Sequence, residues 1–290
     1  MKTASALREL RDLRNTLKGT LGLVPTMGYL HEGHLSLVRR SKAECDHTAA
    51  SIFVNPTQFG PSEDLSRYPR DMPRDLALLE AEGVDLVWTP TPDVVYPPDF
   101  QTWITVEKVS QPLEGAHRQG HFRGVATVVA KLFNAFTPDR AYFGQKDAQQ
   151  VVVIRQMARD LNFPLEIVVC PTVREDDGLA LSSRNAYLKP DERKAATVLY
   201  RALICAQEAF EAGERDAGRL RAIMSSTIAA EPLAREDYVS VAGPETLAEL
   251  DSVERGALFS IAVRIGATRL IDNFLLETSN SKSQTFNGDE

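Results

Sequence analysis

The sequence predicts an α/β fold, a Rossmann-like doubly wound parallel sheet with a smaller C-terminal α+β domain. Through the first 172 residues, short apolar runs alternate with amphipathic segments, as in a parallel sheet covered by helices. After Pro171, two long helical segments precede three strand-like runs, which favours an antiparallel sheet with helices on one face. We therefore expect one domain at 1–172, a second at 173–277 and a disordered polar tail at 278–290.

Hydrophobic periodicity predicts the elements of the first domain. Leucines recur at helical spacing from position 7 to 17 among Arg and Asp, which predicts an amphipathic helix. The apolar run at 21–24 predicts a buried strand, which Pro25 and Gly28 should end. Gly83 should cap a helix at 71–82. Further strands are expected at 48–54, 84–88, 102–106, 141–143 and 165–170, and further helices at 35–45, 122–136 and 147–161.

The second domain follows a polar loop at 173–188. Pro190 should open a long helix that runs to about residue 212, because proline is favoured in the first helical turn. Another helix is expected at 216–230, followed by strands at 238–241, 258–265 and 270–276.

Composition and charge exclude several classes of function. The 290 residues carry a net charge of -7, which argues against a general nucleic-acid binder and against a tRNA synthetase. The three cysteines, Cys45, Cys170 and Cys205, form no C-x-x-C pair, which suits a reducing compartment. No apolar run approaches the length of a membrane span, and the N-terminal helix does not resemble a signal peptide. We expect a cytoplasmic protein that acts on small molecules, without nucleic-acid or membrane partners.

The stretch VPTMGYLHEGH at 24–34 organises the first domain. It joins a predicted strand to a helix, so it should aim backbone N–H groups and the positive end of the helix dipole at an anion. A zinc site at His31 and His34 is disfavoured, because zinc-protease helices space these ligands four apart and no third ligand is evident. The two rings either cap a turn or donate hydrogen bonds to phosphate, and the second interpretation fits best.

A second polar stretch, FVNPTQF at 53–59, follows the next predicted strand. Doubly wound folds bind ligands at such strand ends. Gln58 either satisfies the turn or offers its amide to a small hydroxy acid. The residues alone favour neither interpretation.

Two more stretches carry charged groups at loops. In FGQKDAQQ at 143–150, Lys146 can neutralise phosphate, and Asp147 either caps a helix or holds Mg²⁺. Gln150 lies one turn further along, on roughly the face of Lys146. In LSSR at 181–184, two hydroxyls and a guanidinium either clamp an anion or lie in a solvated loop.

These stretches, with HFRGV at 121–125, resemble the pantothenate synthetase family of the H-x-G-H nucleotidylyltransferases over nearly the whole chain. The resemblance implies an ATP-dependent ligase that joins pantoate to β-alanine through a pantoyl adenylate, releasing pyrophosphate and AMP. It implies that His34 is an assisting acid, that Gln58 contacts pantoate and β-alanine, and that Gln150 contacts pantoate. The ATP contacts it implies are Met27, Gly28, Tyr29, Leu30, His31, Glu32, Gly33, His34, Gly144, Gln145, Lys146, Asp147, Val173, Leu181, Ser182, Ser183 and Arg184.

The same resemblance implies a homodimer and Mg²⁺ as cofactor, held mainly by the ATP phosphates with Asp147 as a candidate protein ligand. The expected catalytic groups are His34, Lys146, Ser182, Ser183 and Arg184. The loop at 62–70 and the C-terminal domain are expected to exclude water as a lid. Two rival functions remain open. A nucleotidylyltransferase would not need the paired glutamines, and a nucleotide sensor would not need a second substrate.

Overall fold

The structure, a computed structural model, describes residues 1–61 and 63–277. The expected disordered tail at 278–290 lies outside these residues. Within the described ranges, no helix is both long enough and apolar enough to cross a membrane.

The chain divides into two compact units. The first comprises Met1–Arg174 with Leu181–Ala186, and the second comprises Glu175–Ala180 with the chain from Tyr187 onward. The segment 181–186, predicted in the second domain, therefore groups with the first unit. It returns there because the Leu181 N–H donates to the Val173 carbonyl over 3.0 Å.

The first unit is built on a parallel sheet, as predicted. Its strands in the described residues are β1 (Lys2–Ala4), β2 (Leu21–Thr26), β3 (His47–Ile52), β4 (Leu86–Trp88), β5 (Arg140–Gly144) and β6 (Glu166–Cys170). They lie in the order β1-β4-β3-β2-β5-β6, and every pairing is parallel. Chain order reverses beside β2, because β3 lies on one side of it and β5 on the other. In doubly wound sheets ligands bind at this switch point, outside the carboxyl ends of the strands.

Helices pack against this sheet. Asp71 caps the helix that follows it, its carboxylate accepting from the Arg74 N–H at 3.2 Å, and Gly83 lies beyond the end of that helix at φ +72°. Among the described residues the α-helices of this unit are α1 (Leu7–Thr16), α2 (Glu32–Glu44), α3 (Met72–Ala81), α4 (Pro92–Val95), α5 (Glu114–His117), α6 (His121–Phe136) and α7 (Ala148–Asp160). One-turn 3₁₀ helices lie at Pro56–Gln58 and Gln145–Asp147.

The expectation that Pro25 ends the first buried strand is wrong. Pro25 lies inside β2, where it is the register partner of Ser51 on β3. On the opposite side, β5 pairs with β2 only at Gly22 and Leu23. The far end of β2 therefore has one edge without a partner strand, and a residue that lacks an N–H is tolerated there.

One other expectation for the first unit is wrong, and one strand was not predicted. The segment 102–106 is not a strand in the described structure; its Ile104 N–H donates to the Thr127 hydroxyl at 3.0 Å rather than to a neighbouring strand. Strand β1 was not predicted, because it has three residues and only Ala4 is buried, which is too little for a periodic signal.

The second unit is α+β, as predicted. The expected single helix from Pro190 is two helices. Ala196 and Thr197 keep right-handed helical dihedral angles, but the Thr197 N–H donates to the Lys194 carbonyl three residues back, at 3.3 Å, which interrupts the α-helical hydrogen-bond pattern. The elements in the described part of this unit are α8 (Pro190–Ala195), α9 (Val198–Glu211), α10 (Ala217–Ala229), β7 (Ala234–Ala242), β8 (Gly256–Ile265) and β9 (Thr268–Glu277). The strands form an antiparallel sheet in the order β7-β8-β9, and apolar side chains of α9 and α10 share one core with it.

Candidate active site

The carboxyl ends of β2, β3 and β5 border a cavity of about 230 Å³ that lies within the first unit. All four polar stretches from the sequence contribute to its lining. The predicted site residues that it brings together are Met27, His31, Gly33, His34, Gln58, Gly144, Lys146, Asp147, Gln150, Val173, Leu181, Ser182, Ser183 and Arg184. The predicted residues outside its lining are Gly28, Tyr29, Leu30, Glu32 and Gln145.

Most of the residues outside the lining shape the site or stabilise the fold. Leu30 is only 1% exposed and packs in the hydrophobic core. Gly28 and Tyr29 form the turn before α2 and have positive φ angles of 82° and 50°. Glu32 is exposed, and its carboxylate pairs with Arg39 on the same helix instead of lining the cavity.

A buried carboxylate that the sequence analysis missed holds this turn. Asp75 on α3 is 1% exposed and accepts hydrogen bonds from the Tyr29 N–H at 2.6 Å and the Leu30 N–H at 2.7 Å. A Cβ at Gly28 would lie 2.9 Å from an Asp75 carboxylate oxygen, so glycine is needed for both space and φ. Burial raises the pKa of Asp75, while the two main-chain donors act in the opposite direction.

The two histidines of the signature cap α2. His31 Nδ1 accepts from the Gly33 N–H at 3.2 Å, and His34 Nδ1 accepts from the His31 N–H at 3.3 Å. An accepting Nδ1 places the ring proton of a neutral imidazole on Nε2. Both rings line the cavity, so capping does not exclude the phosphate interpretation: each ring keeps an Nε2–H donor for a ligand.

Both rings are neutral at physiological pH. Burial and the nearby Lys146 charge lower the pKa of His31 to about 4. Burial and the neighbouring His31 lower the pKa of His34 to about 3. In the absence of phosphate, His34 is therefore a neutral hydrogen-bond donor rather than an imidazolium acid.

Gln58 also lines the cavity, 9% exposed, in the turn Pro56–Gln58. Asn55, which the sequence analysis did not single out, donates from Nδ2 to the Gln58 Oε1 at 3.2 Å. This contact leaves the Gln58 Nε2 to face the Met27 sulfur at 3.0 Å. A thioether is a weak acceptor, so a substrate oxygen can replace it as the partner of the amide N–H groups.

The stretch 143–150 contributes charged and amide groups. Asp147 is at the N-cap position of α7, yet its side chain makes no capping hydrogen bond, so the capping explanation fails. The Lys146 Nζ lies 3.8 Å from an Asp147 carboxylate oxygen, and both side chains line the cavity. Gln150 also lines it, whereas Gln149 is buried and its amide binds backbone groups of the segment 109–114.

The stretch 181–184 belongs to the first unit and packs onto the signature turn. The Ser183 hydroxyl donates to the Tyr29 carbonyl at 3.3 Å. Arg184, expected as an anion clamp, has a partner already, because its Nε and NH2 groups each donate to the Asp64 carboxylate at 3.0 Å. A phosphate would have to share or displace Asp64 to bind this guanidinium.

An apolar wall forms another part of the lining. It was not predicted, because its residues match the buried face of a helix; they are Phe53 and, from α6, Val125, Val128, Val129 and Leu132. Near Phe53, at the end of β3, Ser51 is 1% exposed and also lines the cavity. Its hydroxyl has no hydrogen-bond partner among the described residues, as expected for a group that meets water or a ligand.

Comparison with known proteins decides the family. A sequence model described as Pantoate-beta-alanine ligase matches residues 1–275. The chain belongs to the pantoate-beta-alanine ligase family. The pantothenate synthetase of Roseiflexus sp. (strain RS-1) is 67% identical over 277 residues, which cover 96% of this chain and 100% of that protein. The pantothenate synthetase of Chloroflexus aurantiacus (strain ATCC 29366 / DSM 635 / J-10-fl) is 62% identical, covering 96% and 99%.

Solved structures of the family have the same fold. Pantothenate synthetase from Thermus thermophilus superimposes with a TM-score of 0.90 at 50% identity, covering 94% of this chain and 99% of that one. Pantoate-beta-alanine ligase from Francisella tularensis, complexed with β-γ ATP and β-alanine, gives a TM-score of 0.79 at 34% identity. That comparison covers 95% of this chain and 97% of the other.

The side chains of the structure can be compared with those that the predicted Mg²⁺ cofactor requires. Among the described residues, no group of three or more His, Cys, Asp or Glu side chains is arranged to hold a metal ion. His31 and His34 belong to no such group in the described part of the chain. Asp147, with 48% of its side chain exposed, is the one carboxylate among the described lining residues. One carboxylate suits Mg²⁺, which proteins commonly hold through one or two carboxylates plus substrate phosphates.

Proposed function

We propose that this cavity carries out both steps by which a pantoate-beta-alanine ligase makes pantothenate, and that it does so through a pantoyl adenylate. The chain is an ATP-dependent ligase that condenses pantoate with β-alanine, as its family membership states. The observation that carries the proposed route is the presence of two chemically different linings in one cavity. We call the lining residues that present cationic and neutral N–H donors the first half of the cavity, and those that present two amides and an apolar wall the second half.

The first half suits a triphosphate. His31 and His34 each keep an Nε2–H, and Lys146 supplies positive charge close to them. Ser182 and Ser183 add hydroxyls to the cavity lining. Neutral imidazole donors and one lysine stabilise charge that develops on phosphate oxygens without requiring a proton transfer.

The second half suits pantoate. Gln58 offers amide N–H groups whose present partner is only a thioether, and Gln150 offers a second amide. The two methyl groups on the central carbon of pantoate need an apolar surface, which Val125, Val129 and Phe53 provide. A nucleotidylyltransferase or a nucleotide sensor has no use for this wall together with two amides.

The reaction follows from the reactivity of the groups. A carboxylate does not react with an amine at neutral pH, so pantoate must first be activated. A pantoate carboxylate oxygen attacks the α-phosphorus of ATP, the α–β phosphoanhydride bond breaks, and pyrophosphate leaves. The free β-alanine amine then attacks the acyl carbon, the bond from this carbon to the bridging oxygen breaks, and AMP leaves with that former pantoate oxygen. The new amide nitrogen loses a proton to solvent. Gln58 contributes by positioning the acid, and His34 and Lys146 contribute by stabilising the charge that develops on phosphate.

Magnesium, homodimer formation and a cytoplasmic location complete the proposal. Bound with the nucleotide, Mg²⁺ would neutralise phosphate charge, and Asp147, a carboxylate in the cavity lining, would contact it. The homodimer and the lid role of the second domain rest on the family resemblance. The three free cysteines, Cys45, Cys170 and Cys205, support a reducing compartment.

A pyrophosphate-release assay tests the proposal. ATP with pantoate should give a single burst of pyrophosphate about equal to the enzyme concentration, and sustained release should require β-alanine as well. ATP with β-alanine alone should give none. Release that needs a phosphorylated substrate and ignores β-alanine would support a nucleotidylyltransferase, and no release in any mixture would support a sensor.

A further inference from the structure

His121, the first residue of the HFRGV stretch, has no role in the reaction described so far, yet it is 8% exposed and lines the cavity. It is the first residue of α6, after Gly120 at φ +79°. Its Nδ1 lies 2.8 Å from the carbonyl oxygen of Gln58. Its Nε2 lies 3.0 Å from a guanidinium nitrogen of Arg118.

These partners fix the tautomer of His121. A guanidinium can only donate, so the Nε2 must accept and the ring proton must be on Nδ1, where it donates to the carbonyl of Gln58. Burial and the Arg118 charge lower the pKa of His121 to about 4, so the ring stays neutral near pH 7. This tautomer is the opposite of that in His31 and His34, whose Nε2 atoms carry the proton.

Arg118 is itself held in place. Its Nε and NH2 groups donate to the Glu63 carboxylate at 2.9 and 2.7 Å, and Glu114 lies 3.7 Å away. The NH2 group also reaches the Gln58 carbonyl, but at 3.4 Å, which makes it a weaker donor there than the His121 ring. The chain Glu63–Arg118–His121 therefore ends on the main chain of Gln58.

The turn that carries Gln58 needs such support. It is a single 3₁₀ turn, and its two backbone hydrogen bonds are long: the Gln58 N–H to Asn55 carbonyl distance is 3.4 Å, and the Phe59 N–H to Pro56 carbonyl distance is 3.3 Å. The first turn of α6 packs closely on it. A Cβ at Gly124 would lie 2.4 Å from the Thr57 carbonyl oxygen.

We propose that His121 is a positioning residue for pantoate binding: its Nδ1–H holds the carbonyl of Gln58 and so fixes where the Gln58 amide meets the acid. His121 then acts through Gln58 rather than on the substrate. The inference deepens the proposed function and rests on it. Loss of the Nδ1–H donor of His121 should weaken pantoate binding and leave ATP binding unchanged.

Matched amide variants separate the two ring nitrogens. The side-chain nitrogen of His121→Asn can replace Nδ1, whereas that of His121→Gln reaches the place of Nε2. The control is His117→Asn, the same change at an exposed residue four positions earlier. KM for pantoate and KM for ATP are measured by pyrophosphate release in the complete reaction, and folding is followed by thermal unfolding.

His121→Gln should raise KM for pantoate on the order of tenfold, since one buried hydrogen bond is lost and the carbonyl keeps only the long contact with Arg118. KM for ATP should change less than about twofold, and His121→Asn should restore pantoate KM to within about threefold of wild type. The control His117→Asn should match wild type.

Equal pantoate KM values in the Asn and Gln variants, or an equal rise in both KM values, would overturn the positioning role. If His121→Gln does not fold, Arg118→Lys provides the test, because lysine keeps the charge but cannot hold Glu63 and the His121 Nε2 together as the planar guanidinium does. It should raise pantoate KM selectively, and an unchanged pantoate KM would overturn the inference. Absence of pantoate-dependent pyrophosphate release in the wild type would instead overturn the proposed function, and the positioning role with it.

Discussion

The Asp75 carboxylate gives the sharpest prediction about how the fold builds the nucleotide half. Its two oxygens accept from the Tyr29 and Leu30 N–H groups at 2.6 and 2.7 Å. In Asp75→Asn, one oxygen is replaced by an amide NH₂, which cannot accept. One N–H of the turn then faces another donor in a site where the wild-type side chain is 1% exposed.

The magnitude follows from these contacts. A hydrogen bond to a charged group contributes roughly 1.5–3 kcal/mol, so Asp75→Asn should lower the free energy of unfolding by about 2 kcal/mol. Because Tyr29 and Gly28 have positive φ angles, the turn should relax when its anchor is lost. His31 and His34 follow that turn directly, so KM for ATP should rise on the order of tenfold, as for a similar loss of binding free energy.

Urea denaturation and steady-state kinetics near neutral pH measure both effects. The control is Asp71→Asn, at the N-cap of the same helix, where asparagine caps about as well as aspartate. That variant should unfold within about 0.5 kcal/mol of wild type. The reasoning fails if Asp75→Asn also unfolds within that margin and its KM for ATP is unchanged.

Three further predictions follow from the cavity. His34→Ala and Lys146→Ala should each slow single-turnover adenylate formation by about 2.7–4 kcal/mol in activation free energy, as when an oxyanion donor is lost, and a wild-type rate in either would remove that residue from the site. Gln58→Ala should raise KM for pantoate by about tenfold or more, and Gln58→Glu should be worse because it opposes a second carboxylate to the acid; titration calorimetry showing wild-type pantoate affinity in both would refute the placement. Acid should destabilise the fold in a defined window: the unfolded chain protonates His31, His34 and His121 near pH 6.5, whereas their native pKa values are about 4, 3 and 4. The stabilisation from keeping these rings neutral is complete above pH 6.5 and is lost as pH falls toward 4. The free energy of unfolding, measured by urea denaturation, should therefore fall near pH 5 by about 4 kcal/mol per pH unit, because unfolding binds three protons. A flat profile between about pH 7 and 5 would contradict these pKa shifts.

Most of the fold could be predicted because its elements are long and periodic. The alternation of apolar runs and amphipathic segments predicts the parallel sheet, and the Pro25 error arose because proline is tolerated at the unpaired end of β2. Strand β1 and the segment 102–106 could not be predicted correctly. Strand β1 forms because it pairs with the distant strand β4, and the segment 102–106 is not a strand because it has no such partner in the described structure. No local sequence pattern indicates either outcome.

The candidate site likewise combines residues that could be predicted from the sequence with contacts that could not. Its lining stretches could be predicted, because chemistry-bearing residues directly follow apolar strands. The supporting contacts could not, since they join residues far apart in sequence. The Asp75 contact spans 46 residues to Tyr29, and the Arg184 contact spans 120 residues to Asp64. His121 contacts Gln58 through a main-chain carbonyl, which leaves no trace in residue type.

The most direct test of the central claim follows an oxygen atom. Pantoate labelled with heavy oxygen at both carboxylate positions is incubated with the enzyme, ATP and β-alanine, and the released AMP is examined by mass spectrometry. Activation through an adenylate predicts that one labelled oxygen appears in AMP for each pantothenate formed. Unlabelled AMP, or label recovered in inorganic phosphate alongside ADP, would contradict the pantoyl-adenylate route.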